Sequence, residues 1–185
     1  MKKILFIIFI LVGVHSVSKA QLSITPHVAP AFPVGTLGLF SNPGLGYGLE
    51  TTYAINDNLR IGAAIDYYQF KAGIFGINLF GIKSTIMPLT GTVQYLFPGE
   101  RIRPYVGLEA GTSIVSINKI DINRNYFSMA PAVGVIYNIN DRIDFFANAK
   151  YQTVFLKETI PIAEFNLRHN IHFIPINFGI SFKLQ

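Results

Sequence analysis

Along most of the chain apolar and polar positions alternate with a period of two, the mark of a strand with two unlike faces. The alternation predicts strands at 22–34, 44–55, 59–70, 84–97, 103–115, 127–139, 143–156 and 171–184. In the last of these, Ile174, Ile176, Phe178, Ile180, Phe182 and Leu184 form one stripe, and Asn177, Gly179, Ser181 and Lys183 the other. The second sets Leu45, Tyr47, Leu49, Thr51 and Tyr53 against Gly46, Gly48, Glu50 and Thr52. The seventh sets Ile143, Phe145, Ala147, Ala149 and Tyr151 against Asp144, Phe146, Asn148 and Lys150. No window beyond residue 20 carries a 3.6-residue period, so no helix is expected there.

The connectors are of two kinds. Those at 56–58, 98–102 and 140–142 are short; those at 35–43, 71–83, 116–126 and 157–170 are long. Short and long alternate strictly, as in an up-and-down antiparallel sheet. A repeat underlies this order. Tyr53, Tyr95 and Tyr137 recur at a period of 42, and Asp57, Gly99 and Asp141 mark turns at the same period. The segment Tyr53-Ala-Ile-Asn-Asp-Asn returns as Tyr137-Asn-Ile-Asn-Asp-Arg. The repeating unit is therefore a pair of strands with its turn.

The bulky stripe carries no charge on any expected strand, while the opposite stripe mixes Gly, Ala, Ser and Thr with a few charges. A soluble barrel or sandwich would bury the first stripe and wet the second, which should then be rich in Lys and Glu. Most charges instead lie in or beside connectors. Lipid outside and a crowded polar interior fit better, because a closed barrel leaves no backbone group unsatisfied in a bilayer. The expected fold is all-β, an eight-stranded antiparallel up-and-down transmembrane β-barrel. Tyr53, Tyr95 and Tyr137 then belong to an aromatic girdle near the short turns, and Tyr67 and Tyr151 to the opposite one. Pro26, Pro30, Pro33, Pro88, Pro131 and Pro175 each remove a ladder donor, so bulges or local breaks are expected at them.

Composition changes the picture mainly at the N-terminus. Lys2 and Lys3, the apolar run Ile4 to Val14 and Ser18-Lys19-Ala20 read as a signal peptide over 1–20, cut before Gln21. Eleven apolar residues are too few for a spanning helix, which needs about 20. The remainder, 21–185, is expected to be one barrel domain. The whole chain has 15 basic and 10 acidic residues; without Lys2, Lys3 and Lys19 the balance is 12 against 10, or +2. That is no nucleic-acid footprint. With no cysteine, disulfides and thiolate metal sites are excluded. No cofactor or metal is expected.

Signal peptide, eight strands, short turns, long loops and girdles together resemble the small outer-membrane β-barrels of Gram-negative bacteria, the OmpA-transmembrane and OmpX-like group. Asn177, Gly179, Phe182 and Leu184 are similar to that group's C-terminal assembly signal, except that Leu184 holds the usual Phe position and Gln185 follows it. The resemblance implies a cell outer-membrane location, short turns toward the periplasm and long loops outside. It also implies outer-membrane lipid, lipopolysaccharide and the assembly machinery as partners, with the chain a monomer.

Within such a barrel the inward stripe supplies His27, Glu50, Arg60, Asp66, Glu109, Asn148 and Lys150. They make either a polar plug or a narrow ion path, and eight strands leave a lumen just wide enough for side chains. The long loops hold Lys71, Lys83, Lys119, Arg124, Lys157 and Arg168 against Asp121, Glu158 and Glu164, a basic rim suited to lipopolysaccharide phosphates. Chemistry on lipid A would need His169 or His172 with Glu164 and a serine from elsewhere, Ser41 or Ser116. The expected role is non-enzymatic: membrane integrity or surface binding. A porin-like channel is the alternative, and a lipid A-modifying enzyme the lesser one.

Overall fold

A computed structural model describes residues 22–74, 77–118, 122–156, 160–162, 165–167 and 170–184. The expected signal segment lies outside them. The strands are β1 (Leu22–Val34), β2 (Gly44–Ala54), β3 (Leu59–Ile74), β4 (Ile77–Leu96), β5 (Ile102–Ile117), β6 (Ile122–Asn138), β7 (Ile143–Lys150), β8 (Gln152–Phe155), β9 (Ile160–Ile162), β10 (Phe165–Leu167) and β11 (Ile171–Leu184). Each of β1 to β7 pairs antiparallel with its sequence neighbour, and β11 returns to pair with both β7 and β1. The ring is closed. β8 continues β7 in the same register against β6 and β11, so the two make one span, and the barrel has eight. β9 and β10 form a separate hairpin in the last long connector.

The turns explain the repeat. Asn56 Oδ1 accepts the backbone N–H of Asn58 and Leu59, at 2.9 and 2.8 Å. Asn140 Oδ1 does the same for Arg142 and Ile143, both at 2.9 Å. A side-chain amide standing in for a backbone acceptor is the usual work of Asn in a tight turn.

The alternation holds around the ring. Large hydrophobics such as Leu45, Tyr47, Val106, Leu108, Val133, Phe178 and Ile180 are exposed on the outer face, while their strand neighbours are buried inside. Such an inverted surface suits lipid and not water.

Three expectations need correction. A short helix, α1 (Gly35–Phe40), fills the first long connector. It seats Leu37 against buried residues at the long-loop end of the lumen. Gly35 has φ of 61°, a left-handed conformation that glycine adopts without strain. Second, β3 to β6 extend well beyond the expected strand ends, so less of each connector is loop. Third, prolines interrupt pairing without shifting it. Partner pairs on either side of Pro26, Pro88, Pro131 and Pro175 keep one register. The recorded register shift, between Lys71 and Gly73, is at no proline. A strand is interrupted opposite Pro131, where Tyr151 separates β7 from β8 and donates to the Pro131 carbonyl at 3.0 Å.

Candidate functional site

The lumen is built in three layers. Toward the long loops, Tyr68, Phe70, Ile86, Val115, Tyr126, Val154 and Phe173 pack together with Ala29 and Ala31. The Phe173 ring meets Tyr68 and Phe70 edge-on, with centroids 5.0 and 5.2 Å away. Toward the short turns, Leu96, Tyr105, Ile136 and Phe146 form a second apolar cluster. Between them lies a polar layer.

Its centre is an ionic chain. His27 Nε2 is 2.7 Å from Asp66 Oδ1, and Lys150 Nζ reaches Asp66 Oδ2 at 3.3 Å and Glu109 Oε1 at 2.7 Å. Thr90 donates to the other Glu109 oxygen at 3.3 Å, and the Gln94 amide donates to Glu50 Oε1. All four charged partners of this layer besides the histidine are 1–2 % exposed, so these charges act in a low-dielectric compartment where pairing is obligatory.

Glycines let the chain of contacts pass. His27, Gly48 and Asp66 are direct cross-strand neighbours on β1, β2 and β3. A Cβ at Gly48 would collide with both the Asp66 carboxylate and the His27 ring. Tyr105, Gly134 and Asn148 repeat the device on β5, β6 and β7, and Asn148 Nδ2 donates to the Tyr105 hydroxyl at 2.8 Å.

The structure thus brings together His27, Glu50, Asp66, Glu109, Asn148 and Lys150 inside the barrel. Arg60 is half-buried at the start of β3 nearer the short turns, opposite Gln94, where the charges of Asp144 and Glu50 act on it without an ion pair. Gln94, Thr90, Tyr105 and Gln152 belong to the interior too, and inward parity was the signal that marked them. Asn177 and Gly179 point inward, Asn177 bonding Asn148 at 2.5 Å, while Phe182 and Leu184 are exposed outside. Tyr53, Tyr95, Tyr137 and Tyr151 are exposed on the outer face; Tyr67 is half-buried and stacks on Tyr47 at 5.1 Å.

The residues considered for lipid chemistry do not assemble among the described residues. His172 faces outward, stacks on Tyr151 and meets Thr153 Oγ1 at 3.1 Å. Ser41 bridges to the backbone of Ala72, and Ser116 lies on β5 opposite Thr85 and Asn123. Glu164 and His169 lie outside the described residues, as do Lys119, Lys157 and Arg168. Lys71, Lys83 and Arg124 are exposed near the long loops.

The family profile described as outer membrane protein beta-barrel domain matches residues 12–182. The chain belongs to that family. Among solved structures it is similar to Neisserial surface protein A, with 18 % identity, a TM-score of 0.65, and 90 % of this chain and 100 % of that one covered. The outer membrane protein OprG from Pseudomonas aeruginosa follows at 15 % identity, a TM-score of 0.59, and 90 % and 96 % coverage. The attachment invasion locus protein Ail of Yersinia pestis, solved with the heparin analogue sucrose octasulfate, gives 17 %, 0.50, and 89 % and 97 %. No curated protein sequence matches significantly.

Membership in the outer membrane β-barrel family places the exposed apolar face in the outer membrane. On that face Lys71 and Lys83 are directly opposite each other across β3 and β4. Lys83 lies twelve residues above Tyr95 on the same outward stripe of β4. At roughly 3.3 Å per residue and a tilt of about 40°, the two are about 30 Å apart in height. An apolar band of about 25 Å therefore leaves the lysines at headgroup level, with Tyr95 at the other boundary.

Proposed function

We propose that this chain is a sealed, non-enzymatic outer-membrane barrel that acts at its exterior face, in membrane integrity or surface binding. The observation that carries this reading is the apolar layer of Tyr68, Phe70, Tyr126 and Phe173, which fills the lumen on the long-loop side of the ionic chain. Water and ions have poor reason to enter such a layer. A barrel that does not conduct, and whose described residues bring no reacting dyad together, has its surface left to work with.

The contact best supported is with phosphates of outer-leaflet lipopolysaccharide at Lys71 and Lys83. Like charges directly opposite on paired strands repel, and a phosphate between them turns that repulsion into two charge-assisted hydrogen bonds. Among the described residues no carboxylate lies within ion-pair distance of either ammonium. Export by the N-terminal segment and assembly through the Asn177 to Leu184 strand belong to the same reading.

The test joins two measurements. In planar bilayers the purified barrel is expected to be silent. In cells, Lys71→Glu with Lys83→Glu is expected to weaken lipopolysaccharide binding severalfold and to raise outer-membrane uptake of a hydrophobic dye. Steady single-channel conductance by the native chain would favour the porin-like alternative, and unchanged binding by the charge-reversed chain would remove the lysine contact.

A further inference from the structure

The polar layer does not balance in charge. Glu50, Asp66 and Glu109 bring three carboxylates into it, all 1–2 % exposed. Lys150 supplies one positive charge. His27 lies beside them, its Nδ1 3.3 Å from the Thr25 carbonyl oxygen and its Nε2 2.7 Å from Asp66 Oδ1. Lys150 and His27 are the basic side chains in contact with these carboxylates, and both meet Asp66; Arg60 acts on Glu50 through space, with no ion pair between them.

The deficit falls at one residue. Asp66 receives His27 and Lys150; Glu109 receives Lys150 and Thr90. Glu50 receives only a neutral amide, from Gln94 on Oε1, and its Oε2 has no partner. A buried carboxylate oxygen so placed, in a compartment closed by apolar layers at both ends, is strongly disfavoured unless its charge is met. The groups able to act on it by charge or titration are His27, Arg60, Asp66, Tyr105, Glu109 and Lys150.

A second feature, at the boundary of the polar layer with the apolar one above it, points the same way. Both amide atoms of Gln152 and the hydroxyl of Tyr68 are buried without partners. Gln152 on β8 is two residues beyond Lys150, and Tyr68 on β3 two beyond Asp66, both on inward stripes. Gln152 Oε1 and the Tyr68 hydroxyl are neutral oxygen donors. No group of three His, Cys, Asp or Glu side chains suited to a metal ion occurs among the described residues. One carboxylate with neutral oxygens suits a singly charged hard ion far better than a divalent metal.

We propose that the sealed middle of the lumen takes up one small cation, a proton or an alkali ion, at the free oxygen of Glu50. The occupant completes the charge balance, so the barrel interior is a closed binding site and not a passage.

Infrared difference spectra and thermal unfolding of the folded barrel in lipid vesicles test this. If the occupant is a proton, the wild-type spectrum contains the carbonyl stretch of a protonated carboxylic acid, and Glu50→Gln removes it while Glu109→Gln leaves it. If it is an alkali ion, that band is absent, and sodium or potassium chloride raises the unfolding temperature above the value in choline chloride at equal ionic strength. Glu50→Gln then abolishes the difference. A wild-type chain with neither band nor ion-specific stabilisation overturns the proposal, and that result needs no variant to fold. A band that survives Glu50→Gln and disappears in Glu109→Gln overturns the assignment to Glu50.

Discussion

Gly48 shows how one missing side chain sets the interior. It sits between His27 and Asp66 on neighbouring strands, and their 2.7 Å contact passes over the place where a Cβ would stand. Gly48→Ala should therefore separate the pair and leave Asp66 to Lys150 alone. The expected loss is about 1–3 kcal/mol, the range for disturbing a buried charged contact, read as a lower temperature for the heat-modifiable gel shift. Gly91 is the control: it faces outward with its nearest neighbours at 3.9 Å, so Gly91→Ala should leave the shift unchanged. Period-two parity was enough to read Gly46 and Gly48 as inward and small. It was not enough to show that Gly48 and Gly134 are crossing points, because which residues lie beside a glycine depends on the register of two other strands, and no single strand encodes that.

At the scale of elements, the 42-residue repeat was legible through its tyrosines, but its chemistry lies in another residue. Asp57 and Asp141 stand at the turns, yet the side chains that close them are Asn56 and Asn140, each accepting two backbone N–H groups. Asn56→Ala and Asn140→Ala should each cost about 1 kcal/mol, the scale of lost local hydrogen bonds, and their sum should be additive because the turns are separate. Asp57→Ala should be near neutral. Urea unfolding of the barrel in vesicles measures all three. The short helix α1 escaped notice for a physical reason: six residues hold fewer than two turns, too little for a 3.6-residue period to be seen. Prolines misled in the opposite direction. They remove donors, but a ladder fixed at many other residues around a closed ring has no freedom to slip at one.

For the whole molecule, closure, lipid-facing stripes and a polar interior could all be read from alternation, whereas the apolar layer across the lumen could not. Phe70 and Tyr126 have inward parity but lie at or beyond the ends expected for their strands, where the alternation gives way to connectors, and Phe173 is only two residues inside its own. Only the observed length of β3, β5 and β6 carries the wall high enough for these rings to meet. That layer decides between a plug and a path, and it yields the most exposed prediction of the reading. Phe70→Ala and Phe173→Ala each remove a ring from an edge-to-face contact near 5 Å, and together they open space directly above Gln152, Lys150 and Asp66. Water can then reach the ionic chain from the long-loop side. The double variant should still fold, since its outer stripes, turns and ladder are intact. Cavity formation should nevertheless lower its stability by roughly 3–5 kcal/mol per ring at most. In planar bilayers it should show brief, small conductance steps where the native barrel is silent. Continued silence from a folded double variant would place the seal in the second apolar layer, at Tyr105 and Phe146, and the same experiment on Phe146→Ala would then be expected to open it.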